Sequence, residues 1–189
     1  MKMANENIIL SQVEATDIDE IHSFTSNYNS ITPFYSTKIR TREYWKQRFK
    51  ENGLWNDDYG MLKVVDRVDN TLSGVTWFFK PPSVHSQLEF YEIAFNIFRS
   101  DKREKGFAAQ ILAMVSSYLF ETYPIERVQS TTMIKLDHAS LEKVAKASGF
   151  FYEGTMRKAI FIRGEHVDIQ LFSLIREEAP PLSSLISPT

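Results

Sequence analysis

Tyr91-Glu92-Ile93-Ala94-Phe95-Asn96-Ile97-Phe98, followed within a few residues by Arg103-Glu104-Lys105-Gly106-Phe107-Ala108, organises the rest of the chain. In the first segment Tyr91, Ile93, Phe95 and Ile97 form an unbroken apolar face, and Glu92, Ala94, Asn96 and Phe98 form a mixed one. That alternation predicts a strand over Phe90 to Phe98. The second segment leads into Phe107, Ile111, Leu112, Val115 and Leu119, whose helical spacing predicts a helix over Gly106 to Phe120. A strand, a glycine-bearing turn and a helix start, in that order, suit a phosphate. First-turn N–H groups lack intrahelical partners, and the helix dipole favours an anion there. Gly106 permits close backbone approach, Ala108 keeps the next turn clear, and Arg103 and Lys105 add positive charge. The alternative is a solvated basic turn closed by glycine.

A glutamate in so apolar a strand is costly to bury unless it is paired or near water. Glu92 therefore marks either a wet cleft or a structural pair, for instance with an arginine on a neighbouring strand. It stands eleven residues before Arg103, so a ligand whose phosphates sit at Gly106 could extend along the strand toward it.

The flanking sequence alternates strand and helix patterns. Ile8 to Val13 is strand-like, and Thr16-Asp17-Ile18 opens a helix reaching about Asn27, with Ile18, Ile21 and Phe24 on one face. Thr41 to Phe49 predicts a second helix. Leu62 to Val68 and Leu72 to Phe79 read as two strands about the turn Asp69-Asn70, stopped by Pro81-Pro82. Arg127 to Ile134 is a strand, and His138 to Ser148 a helix ended by Gly149. Phe150 to Phe161 and Val167 to Ile175 form a closing hairpin across Arg163-Gly164-Glu165. Hairpins at both ends with helices between other strands imply an α+β, three-layer α-β-α arrangement with a mixed sheet.

Composition sets the outer bounds. The 189 residues are 43% hydrophobic, and a chain of this size buries roughly 70% of its extended surface. We expect a single domain over residues 1–178 and a flexible tail over 179–189, where Pro180-Pro181 and Ser183-Ser184 show no pattern. Twenty-two basic against 24 acidic residues leave a net charge of −2, which argues against nucleic acid as the main partner. The absence of cysteine excludes disulfides, Cys-ligated metals and a thiol nucleophile. His22, His85, His138 and His166 are scattered, so no metal site is expected. No apolar run approaches the length that spans a bilayer, and Met1 to Asn7 does not read as a signal peptide, so a cytoplasmic location is expected.

The run Glu92-Ile93-Ala94-Phe95 … Arg103-Glu104-Lys105-Gly106-Phe107-Ala108 resembles the acetyl-CoA segment of the GNAT superfamily of N-acetyltransferases, with its Q/R-x-x-G-x-G/A loop. The Glu92-to-loop spacing matches subfamilies that use a glutamate on this strand as general base. Gly149-Phe150, Glu153-Gly154, Arg157, Gly164, Asp168 and Ser173 are similar to the RimJ/RimL-like branch. The likeness covers about residues 8 to 178.

The resemblance implies a mostly antiparallel, seven-stranded, V-splayed sheet. It implies acetyl-CoA as co-substrate, with backbone groups of Asn96, Ile97 and Phe98 holding the pantetheine arm and thioester. The N–H groups of Arg103, Glu104, Lys105, Gly106, Phe107 and Ala108 would hold the pyrophosphate. Two positions depart from the pattern. The branch's N-x-x-S motif meets His138 and Leu141 here, and Asp137 and Ser140 fit it only after a one-residue shift. The tyrosine that other members place four residues before the GF glycine is Ala145. Ser140 and His138 are candidates to protonate the leaving thiolate, with bulk water a third; His138 is also a candidate coenzyme A contact.

The implied reaction is direct attack of a neutral amine on the thioester, the oxyanion resting against backbone N–H groups. An α-amine is far more often neutral at pH 7 than a lysine ε-amine, so a weak base such as Glu92, acting through water, suits the former. The acceptor is expected to be a protein N-terminal α-amine or a small-molecule amine, and the protein a monomer or homodimer. Residues 27–35 and the segment holding Pro81, Pro82 and His85 are candidate acceptor loops. The rival expectation is a GNAT-like protein that binds acyl-CoA as a sensor without catalysis.

Overall fold

The computed structural model describes residues 1–26, 40–82, 89–103, 105–133, 138–162 and 164–187, with backbone alone at 100, 103, 133 and 138–141. The strands are β1 (Lys2–Ala4), β2 (Ile8–Gln12), β3 (Trp55–Asn56), β4 (Tyr59–Asp66), β5 (Leu72–Phe79), β6 (Tyr91–Ile97), β7 (Arg127–Met133), β8 (Phe151–Ile162) and β9 (Glu165–Ile175). The helices are α1 (Ile18–Ser26), α2 (Arg42–Asn52), α3 (Ser100–Arg103), α4 (Phe107–Thr122) and α5 (His138–Ala147). One sheet runs β1-β2-β4-β5-β6-β7-β9-β8, with β3 beside β4. The long strands are the expected seven; β1 and β3 are additions of three and two residues, too short to show a period.

Every pairing is antiparallel except β6 with β7, which is parallel and spans only Tyr91↔Val128 and Glu92↔Gln129. Beyond those residues the two strands part, giving the expected splay.

Alternation along the central strands divides the interior into two cores. Leu62 and Val64 of β4, Phe78 of β5, and Tyr91, Ile93 and Ile97 of β6 pack with Phe107, Ile111, Met114 and Val115 of α4. The intervening Met61 and Val75, with Phe98 just past β6, pack instead with Ile18 and Ile21 of α1 and Trp45 of α2. Phe24 stacks on Phe98, ring centroids 4.7 Å apart. Helices thus cover both faces, and Glu92 lies on the α1–α2 side.

Two local features fix β6 and the helix α4 packed on it. At Gly74 of β5 a Cβ would meet the Asn96 carbonyl oxygen at 2.3 Å and the Ile97 Cα at 3.1 Å, so only glycine lets the strands approach there. Arg176 caps the far end of α4: its guanidinium donates to the carbonyls of Phe120 (2.6 Å), Tyr123 (2.7 Å) and Ile125 (2.9 Å).

Residues 179–187, the expected tail, make defined contacts in the structure. Leu182–Ser184 form a 3-10 turn, Leu182, Leu185 and Ile186 pack on the α4-side core, and Ser187 N–H donates to the Ala4 carbonyl at 2.8 Å. Pro180 and Pro181 end the regular structure, but three aliphatic residues behind them supply an apolar strip that docks. The edge strand β8 is exposed along almost its whole length, and register shifts after Tyr152 and Met156 kink it. Such bulges, with Arg157 and Lys158, blunt an edge that also exposes Phe151 and Phe161.

Candidate active site

Glu92 sits at the apex of the β6–β7 wedge. Thr131 Oγ1 donates to Glu92 Oε1 at 2.7 Å, and Gln129 Nε2 donates to Oε2 at 3.1 Å. Both donors come from the same face of β7, two residues apart, and both are neutral. The anticipated arginine partner is therefore replaced by an amide and a hydroxyl. Among the described residues no cation pairs with the carboxylate, and each oxygen keeps a further lone pair for water or an amine.

The strand pairing sorts the backbone groups of β6. Phe98 N–H donates to the Ser73 carbonyl at 2.9 Å, so it points to β5 and away from the wedge. Antiparallel alternation turns Asn96 the same way and turns Ile97 toward the side where β7 peels off. The three positions Asn96, Ile97 and Phe98 are thus not equivalent, and the Phe98 N–H is already committed.

Downstream, Gly106 caps α4 at φ 73°, a left-handed conformation that favours glycine. Among the described residues no side chain caps this helix start, and its first turn carries no acidic residue. Phe107 and Ala108 send their side chains into the protein, 2% and 9% exposed, leaving the amides at the mouth. The positive charge there is smaller than the sequence suggests: Lys105 Nζ lies 3.7 Å from an Asp66 carboxylate oxygen. Arg103 falls in α3 with only its backbone described, and Glu104 lies outside the described residues.

His138 and Ser140 fall in the first turn of α5, backbone alone. Asp137, residues 27–35 and His85 lie outside the described residues.

Sequence reasoning missed Gln129, Thr131 and Lys102. The alternation Gln129, Thr131 on β7 was legible, but not that this face meets Glu92. Nothing in the sequence singles out Lys102, yet it is 3% exposed and bonded to Asp66 and Asp69. Its ammonium is held well above the usual lysine range, by its hydrogen bonds to Asp66 and then Asp69.

Residues 10–171 match the family model described as an acetyltransferase (GNAT) domain. The SPbeta prophage-derived uncharacterized N-acetyltransferase YokL of Bacillus subtilis (strain 168) is 28% identical over 175 residues, 92% of each chain. Among solved structures, the ribosomal-protein-S5-alanine acetyltransferase of Vibrio fischeri superposes with TM-score 0.76 at 19% identity, over 96% of this chain and 100% of that one. The spermidine N-acetyltransferase of Vibrio cholerae, in complex with CoA and spermine, gives TM-score 0.76 at 16% identity, over 92% and 98%. The wedge, the α4 start and these matches agree: the chain belongs to the GNAT family and is an acetyl-CoA-dependent N-acetyltransferase.

Proposed function

We propose that the protein acetylates a protein N-terminal α-amine or a small monoamine, with Glu92 receiving the amine's proton through a water. Acetyl-CoA supplies the acetyl group as an activated thioester. The amides from Lys105 to Ala108, at the start of α4, would hold its diphosphate, and the backbone of Ile97 would face its pantetheine arm. The amine nitrogen forms a bond to the acetyl carbon, the carbon–sulfur bond breaks, and coenzyme A leaves as a thiolate to be protonated. Ser140 and His138, at the start of α5, remain the candidates to protonate it.

The observation that carries the proposal is the Glu92 carboxylate at the wedge apex, held by the neutral Gln129 and Thr131 and paired with no cation among the described residues. A carboxylate is a weak base, and the amine's own acidity decides what it can serve. At pH 7 a lysine ε-amine is neutral to only about a few parts in ten thousand, whereas an α-amine is neutral to more than about 10%. The solved relatives act, by their names, on a ribosomal-protein alanine and on spermidine. The neutral Gln129 and Thr131 beside Glu92 favour a single amine over a polycation.

The test is release of coenzyme A thiol from acetyl-CoA across a panel of peptides with free N-termini, lysine side chains, spermidine and monoamines. The protein contains no cysteine, so its own background is nil. Glu92→Gln should lower kcat by about 100-fold or more on the preferred acceptor. Turnover of spermidine or lysine above every α-amine and monoamine would overturn the proposed acceptor class. An unchanged pH–rate profile in Glu92→Gln would remove Glu92 from the chemistry.

A further inference from the structure

The candidate phosphate loop hangs from a buried ammonium. Lys102 Nζ donates to Asp66 Oδ2 at 2.5 Å and to Asp69 Oδ2 at 2.6 Å, joining α3 to the turn between β4 and β5. Lys102 and Asp66 are 3% and 1% exposed. Among the described residues the other charges around the cluster are Lys105, 3.7 Å from Asp66, Asp101, 3.9 Å from Lys102, and Arg99, whose guanidinium interacts with both aspartates.

Each aspartate divides its oxygens. Asp66 Oδ1 accepts from Val68 N–H at 2.8 Å, and Asp69 Oδ1 accepts from the N–H and hydroxyl of Thr71 at 3.1 and 2.5 Å. Asp66 N–H closes the turn on the Thr71 carbonyl at 3.0 Å. The Oδ1 atoms thus set the turn, and the Oδ2 atoms converge on one cation. On the other side, Lys102 N–H donates to the Arg99 carbonyl at 3.2 Å, and Lys105 N–H donates to the Lys102 carbonyl at 3.3 Å. The backbone that leads to Gly106 is tied directly to the held residue.

A buried ion pair is a poor device for stability alone, because desolvation offsets most of its attraction; fixing a geometry is its better-attested use. We propose that Lys102 is a positioning residue for coenzyme A: clasped by Asp66 and Asp69, it holds Lys105 and Gly106 in place so that the amides opening α4 converge on the diphosphate. The proposal rests on the diphosphate assignment made above.

The test compares wild type, Asp69→Asn, Lys102→Met and the double variant Asp66→Asn/Lys102→Met. Lys102→Met alone strands a buried carboxylate, whereas the double variant removes both charges, and Asp69 is a partner whose side chain is 39% exposed. Amide hydrogen exchange over residues 102–108 is read on the ligand-free protein, and coenzyme A binding by calorimetry. In Asp69→Asn and the double variant, loop exchange should rise while mid-α4 and β5 keep wild-type protection. The Kd for coenzyme A should rise about tenfold, as expected for loss of a charge-assisted hydrogen bond, and the KM for the amine should hold. Unchanged loop exchange, or a general loss of protection with unchanged coenzyme A affinity, overturns the clasp. If the wild type binds no coenzyme A while loop exchange still responds, the diphosphate assignment fails and the clasp does not.

Discussion

Thr131 on β7 donates its hydroxyl to Glu92 on β6 at 2.7 Å, bridging two strands just where their pairing ends at Glu92↔Gln129. A side-chain bond takes over where the backbone ladder stops, so the carboxylate is fixed in the mouth of the gap. Turning the Glu92 side chain away would forfeit both this bond and the one from Gln129.

Thr131→Val removes that hydroxyl at nearly constant shape. We expect kcat to fall about tenfold, the effect of losing roughly 1.4 kcal/mol of charge-assisted hydrogen bonding in the transition state. Thr131→Ser should recover most of it. Steady-state kinetics on the preferred amine checks both; equal kcat in wild type and Thr131→Val would mean that the Thr131 hydroxyl does not hold Glu92 for the reaction.

At Gly106 an added Cβ would have room, since its nearest neighbour is Gln110 Nε2 at 4.0 Å. The obstacle is φ 73°. Gly106→Ala should therefore cost about 1 kcal/mol of stability, whereas Gly106→Asp should also abolish the rise in Tm on adding coenzyme A, by placing a carboxylate against the diphosphate. Thermal melts with and without coenzyme A separate the two effects.

Gly74→Ala poses the opposite problem, because the new methyl would lie 2.3 Å from the backbone oxygen of Asn96. Strands β5 and β6 would have to move apart, a strain of about 2–3 kcal/mol or more. Urea denaturation should show a lower midpoint, and β6 should lose hydrogen-exchange protection first.

Arg176 serves the scaffold rather than the site. Three carbonyls at the end of α4 share its guanidinium, and Arg176→Ala should cost about 2 kcal/mol, measured by chemical denaturation. Arg176→Lys should recover only part, since an ammonium cannot reproduce the planar fork.

The buried clasp should leave a signature in pH. Burial tends to raise the Asp66 carboxyl, but the Lys102 hydrogen bond and the Val68 N–H outweigh it and hold the group below its ordinary value. Its stabilising share is present above the unfolded carboxyl pKa of about 3.9 and is lost as the pH falls through the lower folded value. Lys102 is raised, first by Asp66 and then by Asp69, so its share is complete below about 10.4 and lost as the pH climbs through the higher folded value. The stability gap between wild type and Asp66→Asn/Lys102→Met should stay flat between those limits and change outside them. Denaturation midpoints measured across pH provide the check, with Arg99, Asp101 and Lys105 as the other charges in reach among the described residues.

Local order in the chain, by itself, determined much of this protein. Periods of two and of three to four residues placed the seven long strands and four of the helices, because alternation and amphipathicity are properties of neighbours along the chain. Glycine and the helix start after it marked the candidate phosphate loop for the same reason. What only the tertiary structure decided concerns partners far apart in sequence: Glu92 with Thr131, Lys102 with Asp66, and Gly74 against Asn96. The apparent tail shows the same division, since its prolines are visible locally but the surface receiving Leu182, Leu185 and Ile186 is not. A residue's type states what it can bond to, and only the packing of strands and helices supplies the group that it meets.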